Sequence, residues 1–486
     1  MLASTIFLIT ISCGDPKTKS DNWSANLHTL GTYSSIKSVD LNQDNILDLV
    51  IGAGKNEFEK SDSAVVAING QTGKLLWTYP GTDQVVGSAI FHDMNGDNVP
   101  DVIIGGRNAQ LKVISGNDGS KIWEYSISNH KHDAKGYMRF NFFNPQVIPD
   151  QNHDGVNDLL VSNGGNIRAY KKNGEDRYPG VLGVLSGKTG EIIAADTIPD
   201  GKETYMSPLV FDNKDGGKSI IYGSGGETLG GHLYEATLED LMNNDLSTSK
   251  VLLSKEGNGF VAPANLADIN RDGSLDIIVN WHGGETIAID GETQEIIWQV
   301  KFENTELNSS PVPGDVTLDG IPDYFSSFSI GKWPKNKGSV QVVMDGSDGS
   351  ILYQDTFGCT GFSSALSYDL NNDNASEFIV CVNDFNCNGI YLGDSKSSIL
   401  SIDVANNSID TLVAPSRSKN IGTTPWLGDL DGDNKLDLVY CLQANYGDIY
   451  SYYGIQLSRI VLDTEWKRGG SWTEYMGCKS DGIYRE

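Results

Sequence analysis

Asp40, Asn42, Asp44 and Asp48 put side-chain oxygens at positions 1, 3, 5 and 9 of a nine-residue stretch, DLNQDNILD. The pattern returns at Asp93, Asn95, Asp97 and Asp101, at Asp150, Asn152, Asp154 and Asp158, and at Asp268, Asn270, Asp272 and Asp276. Asp429, Asp431, Asp433 and Asp437 repeat it with Asp in third place. Asp315, Asp319 and Asp323 keep the carboxylates around Thr317, while Asp369, Asn371 and Asp373 are completed by Glu377. An eighth copy, DNKDGGKSI from Asp212, has lost the pattern. Oxygen donors at this spacing, with a backbone carbonyl near position 7, suit a hard cation taking roughly six to eight ligands. Calcium fits that description better than zinc or magnesium. Asn or Gly at position 6 (Asn45, Asn98, Gly155, Gly273, Gly320, Asn374, Asn434) tolerates the positive φ of a tight loop. One copy alone would read as an ordinary Asp/Asn/Gly turn. Seven copies in register read as up to seven Ca²⁺ sites.

These loops need a scaffold that repeats with them. Successive starts lie 47 to 62 residues apart, the length of a modular unit. Each unit reads as four short strands. Strand A enters the acidic loop, and strand B leaves it as Leu49-Val50-Ile51, Val102-Ile103-Ile104 or Ile277-Ile278-Val279. Strand C and a tight turn follow (VVAINGQTG from Val65, VISGNDG from Val113, VLSGKTG from Val184), and strand D carries an aromatic at Trp77, Trp123, Trp298 or Tyr353. Period-2 alternation between Gly/Asn/Asp turns is a strand signal, and only Leu238–Met242 hints at a helix. The fold class is therefore all-β: an eight-bladed β-propeller of four antiparallel strands per blade, with the calcium loops between strands A and B. Trp23 falls where Trp77 and Trp298 fall, ahead of a turn and a new strand A. The segment around Trp23–Leu30 is thus expected to pair with the last repeat and close the ring.

The acidic loop with its following strand resembles the FG-GAP (VCBS-type) repeats of integrin α chains and their bacterial relatives. The strand C–turn–Trp segment resembles the pyrroloquinoline-quinone-type propeller repeat. Together the resemblances cover residues from about Trp23 to Asp463, and they imply architecture far more than function.

The charge balance agrees. The 486 residues carry a formal charge of −28 with only 36 Lys and Arg, and the seven intact loops hold 22 of the carboxylates. Much of the acidity is therefore ligand charge. Nucleic acid is excluded as a partner, because no basic stripe exists to displace counterions from phosphates.

In a four-stranded meander the A–B and C–D connections share one face, and the B–C and D–A connections share the other. The acidic face has fixed loops, whereas the opposite face varies in length and is the expected recognition surface. Its loops carry Phe58, His130, His132, Tyr137, Lys171, Lys172, Arg177 and Phe385. From this face Arg139, Tyr178, Trp281, His282, Lys332 and Trp333 are the candidate ligand-binding residues, for a glycan or a protein. No catalytic residue emerges: the zinc-protease, nucleophile-elbow and dinucleotide motifs are all missing, and Gly187-Lys188-Thr189 is a C–D turn. This favours a monomeric binding scaffold over a polysaccharide lyase on a calcium-stabilised propeller, an envelope assembly factor or a quinone-dependent dehydrogenase.

Residues 1–12 (MLASTIFLITIS) form an apolar run too short to span a bilayer, and Cys13-Gly14-Asp15 follows. The segment resembles a bacterial lipoprotein signal. That resemblance implies lipidation of Cys13, a tether over 13–22, a propeller over 23–486, and a lipid-anchored place in the bacterial cell envelope, at the outer membrane. The other cysteines, Cys359, Cys381, Cys387, Cys441 and Cys478, are odd in number, so at least one is left unpaired or joined elsewhere.

Overall fold

The computed structural model describes residues 22–127, 133–166, 177–359, 361–384, 387, 395–444, 452–467 and 469–485. Cys13, His130, His132, Lys171, Lys172 and Phe385 lie outside them.

The molecule is an all-β propeller. The first repeat shows how each unit is built. Lys37–Val39 pairs with Asp48–Gly52, that strand with Ser61–Ile68, and that in turn with Leu75–Gly81, all antiparallel. The same order follows in Ile90–His92, Asp101–Gly105, Leu111–Ile114 and Lys121–Glu124, and in the sheets that succeed it. The strands of the last two repeats join in one 8-stranded sheet through Ser418 opposite Ala444 and Lys419 opposite Gln443. Two short helices occur among the described residues, one of them the expected Leu238–Met242, capped by the Thr237 hydroxyl accepting from the Asp240 amide.

Burial grades outward. Strands B are apolar along their whole length because both faces are covered by neighbouring sheets: Asp48–Gly52 and Asp101–Gly105 are buried throughout. Strands D form the rim and alternate, so in Ile296–Lys301 only Trp298 is fully covered. The core therefore lies between sheets rather than inside any one of them. Val50, Val65 and Trp77 pack on Val102, Ile104 and Ile114, and the next interface buries Ile103 and Val113 against Leu159 and Val161. The final interface sets Leu49, Ile51 and Val66 of the first sheet against Trp426, Val439 and Leu457 of the last, so the ring is closed.

Where strand D carries a tryptophan, the indole fastens that sheet to the next. Trp77 Nε1 donates to the Gly116 carbonyl at 2.9 Å, Trp123 to Gly187 at 2.7 Å and Trp298 to Gly346 at 2.7 Å. The turn glycine must be bare for the indole to lie on it: a Cβ on Gly119, at φ 73°, would stand 2.8 Å from Trp77. Trp23 does the same for the chain ends. Its Nε1 donates to Gly70 at 2.7 Å while Trp23–His28 pairs antiparallel with Gly454–Glu465, Trp23 opposite Arg459. The N-terminal segment thus serves as the outer strand of the last repeat, as its sequence foretold.

The C-terminal segment does something the repeat pattern does not show. Residues 469–485 belong to no repeat and line the inner strands A around the axis. Trp472 bridges Ser367, the Thr473 carbonyl accepts from Leu427 N at 2.9 Å, and Ser480 O accepts from Gln146 Nε2 at 2.9 Å. Ile483 then pairs with Leu266. Lys37, almost wholly buried, ties the segment down by donating to Tyr475 O at 2.5 Å and pairing with Glu474 at 3.5 Å.

Candidate functional site

Two places concentrate chemistry, one on each face of the propeller. On the first, the acidic loops share one geometry. The sixth residue has φ between 65° and 91° in all seven, and its N–H reaches back to the first carboxylate. Asn45 to Asp40, Gly155 to Asp150 and Gly273 to Asp268 are each 2.9 Å. In Asp150 this donation, led by Gly155, holds the carboxyl below its ordinary range.

The ninth residue is placed differently. Asp101 accepts from Met94 N at 2.8 Å and from Gly116 N at 3.3 Å, clipping the A–B loop to the C–D turn. Asp276 repeats this with Ile269 at 2.8 Å and Gly291 at 2.9 Å. Burial pushes these carboxyls up, to about 6 in Asp48, Asp101 and Asp437 and to about 7 in Asp323 and Glu377, and the donors around them, led in Asp437 by the Arg459 guanidinium and elsewhere from the backbone, only partly offset it.

The loops fit a cation. Asp40 Oδ1, Glu377 Oε1 and Asp431 Oδ1 are buried acceptors that no donor reaches among the described residues. Asp373, Glu377 and Asp403 converge in one loop and Asp429, Asp431 and Asp433 in another, with one ligand oxygen from each within 4.8 Å of the others. Asp403 comes from the C–D turn, and the acidic-loop pattern alone does not point to it. The degenerate loop is neutralised internally by Lys218, 2.7 Å from Asp212.

The second place is a cavity of about 620 Å³ on the axis, at the variable-loop face. The connections entering the strands A supply Tyr33, Tyr205 and Phe362, the B–C loops supply Phe58, Arg107 and Trp333, and Tyr475 of the C-terminal segment also lines it. That segment separates it from a second space of about 540 Å³ at the other mouth, lined by Lys37, Glu474 and Ser480. Arg107 pairs with Glu57, and Arg177 pairs with Glu203. Trp333 packs on Phe362 with centroids 4.7 Å apart, and Glu306 Oε2 receives its backbone N–H at 2.7 Å.

Of the six expected ligand-binding residues, only Trp333 lines this cavity. Arg139 donates from Nε to the Gly136 carbonyl at 2.5 Å, and Tyr178 stacks on Phe140 at 5.5 Å in a patch of its own. Trp281 donates to Asn258 O at 2.7 Å beneath Lys255, and Lys332 is exposed at the end of the strand Asp323–Lys332, just before Trp333. His282 is fully buried. Its Nδ1 lies 3.0 Å from Leu307 O, and burial pushes its pKa down to about 4, so at neutral pH it is an uncharged core residue. Phe58 and Arg177, read in the variable loops, do reach the axis. Tyr33, Arg107 and Phe362 were missed; their one signal is position just before a strand A or in a short B–C loop.

An axial cavity in a ring of antiparallel sheets, faced by variable loops, defines a propeller domain. A model of the FAM234A/B β-propeller matches residues 23–360, and the chain belongs to that family. It is 21% identical to the mouse protein FAM234B over 397 residues, 75% of this chain and 59% of that protein. The human FAM234B matches at 21% over 398 residues. The chain thus spans 59% of the length of these relatives. Among solved structures, a europium-containing methanol dehydrogenase superposes with a TM-score of 0.56 at 11% identity, covering 90% of this chain and 92% of its own. The quinohemoprotein alcohol dehydrogenase of Comamonas testosteroni gives 0.54 at 11%, covering 93% and 78%. At such identities the likeness is one of fold alone.

These relatives correct two expectations. Mouse, human and chicken FAM234B are eukaryotic proteins, so the reading of a bacterial lipoprotein in the cell envelope, anchored at Cys13, is overturned. That reading rested on a short apolar run before a cysteine. Hydropathy records only an apolar segment; it does not record the cell that makes it.

Proposed function

We propose that this chain is a binding module: an eight-bladed propeller, four strands per blade, that presents its axial cavity to a ligand. The observation that carries this reading is the cavity itself. It is concave, about 620 Å³, walled by aromatic and charged side chains, and floored by the chain's own C-terminus. Ligand and solvent reach it from the variable-loop face, where the connections differ most between repeats. The acidic loops on the far face, of FG-GAP type, hold Ca²⁺ through their first, third, fifth and ninth residues. The ions neutralise clustered carboxylates and stiffen the A–B connections, a structural contribution far from the ligand. Among the described residues that line the cavity, no nucleophile is paired with a base, which favours binding over catalysis.

A glycan array and a peptide array probed with wild type and with Phe362→Ala test the assignment. Hits that weaken in the variant support it. Hits that survive Phe362→Ala unchanged place the binding surface elsewhere and refute it.

A further inference from the structure

The acidic loop of residues 369–377 departs from its siblings at two positions that meet in the others. In five repeats the glycine opening the C–D turn donates its N–H to the ninth loop residue, as Gly70 does to Asp48 at 3.2 Å and Gly291 to Asp276 at 2.9 Å. This clip needs a bare backbone. A Cβ on any of the five glycines would stand 1.9–2.0 Å from the carbonyl of the eighth loop residue, Leu47 for Gly70 and Leu275 for Gly291.

Here both halves of the clip are changed. Val404 takes the place of the glycine, and its Cβ bars the same approach. Glu377 stands in ninth place with one methylene more than Asp. Its Oε2 still accepts from Leu370 N at 2.5 Å, the bond that Asp101 makes with Met94. Its Oε1 is buried and meets no donor among the described residues, in a side chain belonging to a residue only 3% exposed. A buried acceptor left unpaired is unfavourable.

What faces Glu377 is more negative charge. Asp403, the residue before Val404, is buried, and one carboxylate oxygen from each of Asp373, Glu377 and Asp403 lies within 4.8 Å of the other two. In two other repeats the side chain at the place of Asp403 is a donor: Asn69 Nδ2 donates to Asp48 at 3.3 Å, and Ser186 Oγ to Asp154 at 3.0 Å. The amides of Asn371 and Asn406 bridge Asp373 and Asp403 at 2.8–3.2 Å but bring no charge. Lys467 reaches the first loop residue, Asp369, at 3.7 Å, and no described Lys or Arg pairs with the three converging carboxylates.

Resting on the reading that the acidic loops bind Ca²⁺, we infer that the ion of this loop is held by Asp403 together with Asp373 and Glu377, and that it replaces the missing clip. The cation joins oxygens of the A–B loop to an oxygen of the C–D turn, as a peptide N–H does in the other repeats. Carboxylates from two separate segments suit the flexible oxygen coordination of Ca²⁺. The clipped loops hold to their turns without metal; this one does so through it.

Hydrogen exchange of the full chain, stripped of metal and then titrated with Ca²⁺, tests the inference. Ca²⁺ is expected to slow exchange over residues 370–377 and 404–407 by about tenfold or more, and by less over 94–101, where Gly116 clips Asp101 in either state. Asp403→Asn, which keeps the shape and removes the charge, should lose that slowing and bind one ion about tenfold more weakly, with the other ions unaffected. A melting curve matching wild type in chelator shows that this variant folds. Glu377→Asp combined with Val404→Gly restores both halves of the clip and should protect residues 370–377 without Ca²⁺. If Ca²⁺ slows exchange in Asp403→Asn as it does in wild type, Asp403 is no ligand and the inference falls, while the loops remain calcium sites. No response to Ca²⁺ at any loop overturns both readings. A double variant that still needs Ca²⁺ for protection overturns the substitution of ion for clip; should it fail to fold, the comparison with Asp403→Asn decides alone.

Discussion

Arg459, on the strand Gly454–Glu465, donates from Nε and Nη2 to the two oxygens of Asp437, each at 2.9 Å, and both side chains are fully buried. Nη2 also lies 2.9 Å from Asp431, the third residue of the same acidic loop. At Asp48, Asp101, Asp158, Asp276 and Asp323 a C–D glycine N–H meets the ninth carboxylate; here a guanidinium does. Removing one partner of a buried pair leaves its charge uncompensated, so Arg459→Met should destabilise the protein by about 3–5 kcal/mol. Chemical denaturation with and without Ca²⁺ measures it. A loss below about 1 kcal/mol would mean the pair contributes no more than an exposed one.

Metal removal is expected to weaken the whole fold, because the loops sit between strands A and B around the ring. Each structural ion bound at a hundred times its dissociation constant adds about 2.7 kcal/mol to stability. Chelation should therefore lower the melting temperature clearly, and Mg²⁺ should restore it poorly. A melting curve unchanged after metal removal, confirmed by elemental analysis, would rule out this role.

Closure through Trp23 makes the next expectation. Deleting residues 22–31 removes a six-residue pairing with Gly454–Glu465 and the indole bond to Gly70. The loss should reach at least about 3 kcal/mol, as for excision of a packed aromatic. Protease resistance of the remaining chain provides the check: wild-type resistance would show that the ring closes without this strand.

The C-terminal segment should matter as much. Trp472 is only 3% exposed and packs with Val312, Phe325 and Phe378. Trp472→Ala should cost about 3–5 kcal/mol. Hydrogen exchange should quicken at Ser367, whose N–H donates to Trp472 O at 2.9 Å. Unaltered exchange there would show the segment to be only loosely seated.

His282 gives a pH dependence with a definite sign. Its pKa falls from 6.5 to about 4 because burial disfavours the charged ring. Between those values the unfolded chain binds a proton that the fold excludes, so stability is complete above pH 6.5 and declines on acidification toward 4. The whole loss is about 3 kcal/mol. His282→Gln should flatten that limb of the stability curve; parallel curves for variant and wild type would assign it to other groups.

What the sequence determined by itself was local. Strand alternation, the position 6 residues at positive φ and the acidic loops are set by neighbours in the chain, so Asp40–Asp48 announces its own turn. Trp23 was legible because its surroundings repeat those of Trp77. The tertiary structure decided what meets across the ring. Tyr33, Arg107 and Phe362 carry no shared motif, and only the convergence of successive sheets on one axis brings them to a common cavity. His282 looked like a loop residue because polarity and position do not reveal burial; Gly259, Leu307 and their loops cover it. Arg459 and Asp437 are joined by strand register, and the C-terminal residues from Gly469 onward, which follow no period, find their place only because the closed ring leaves an axis to fill.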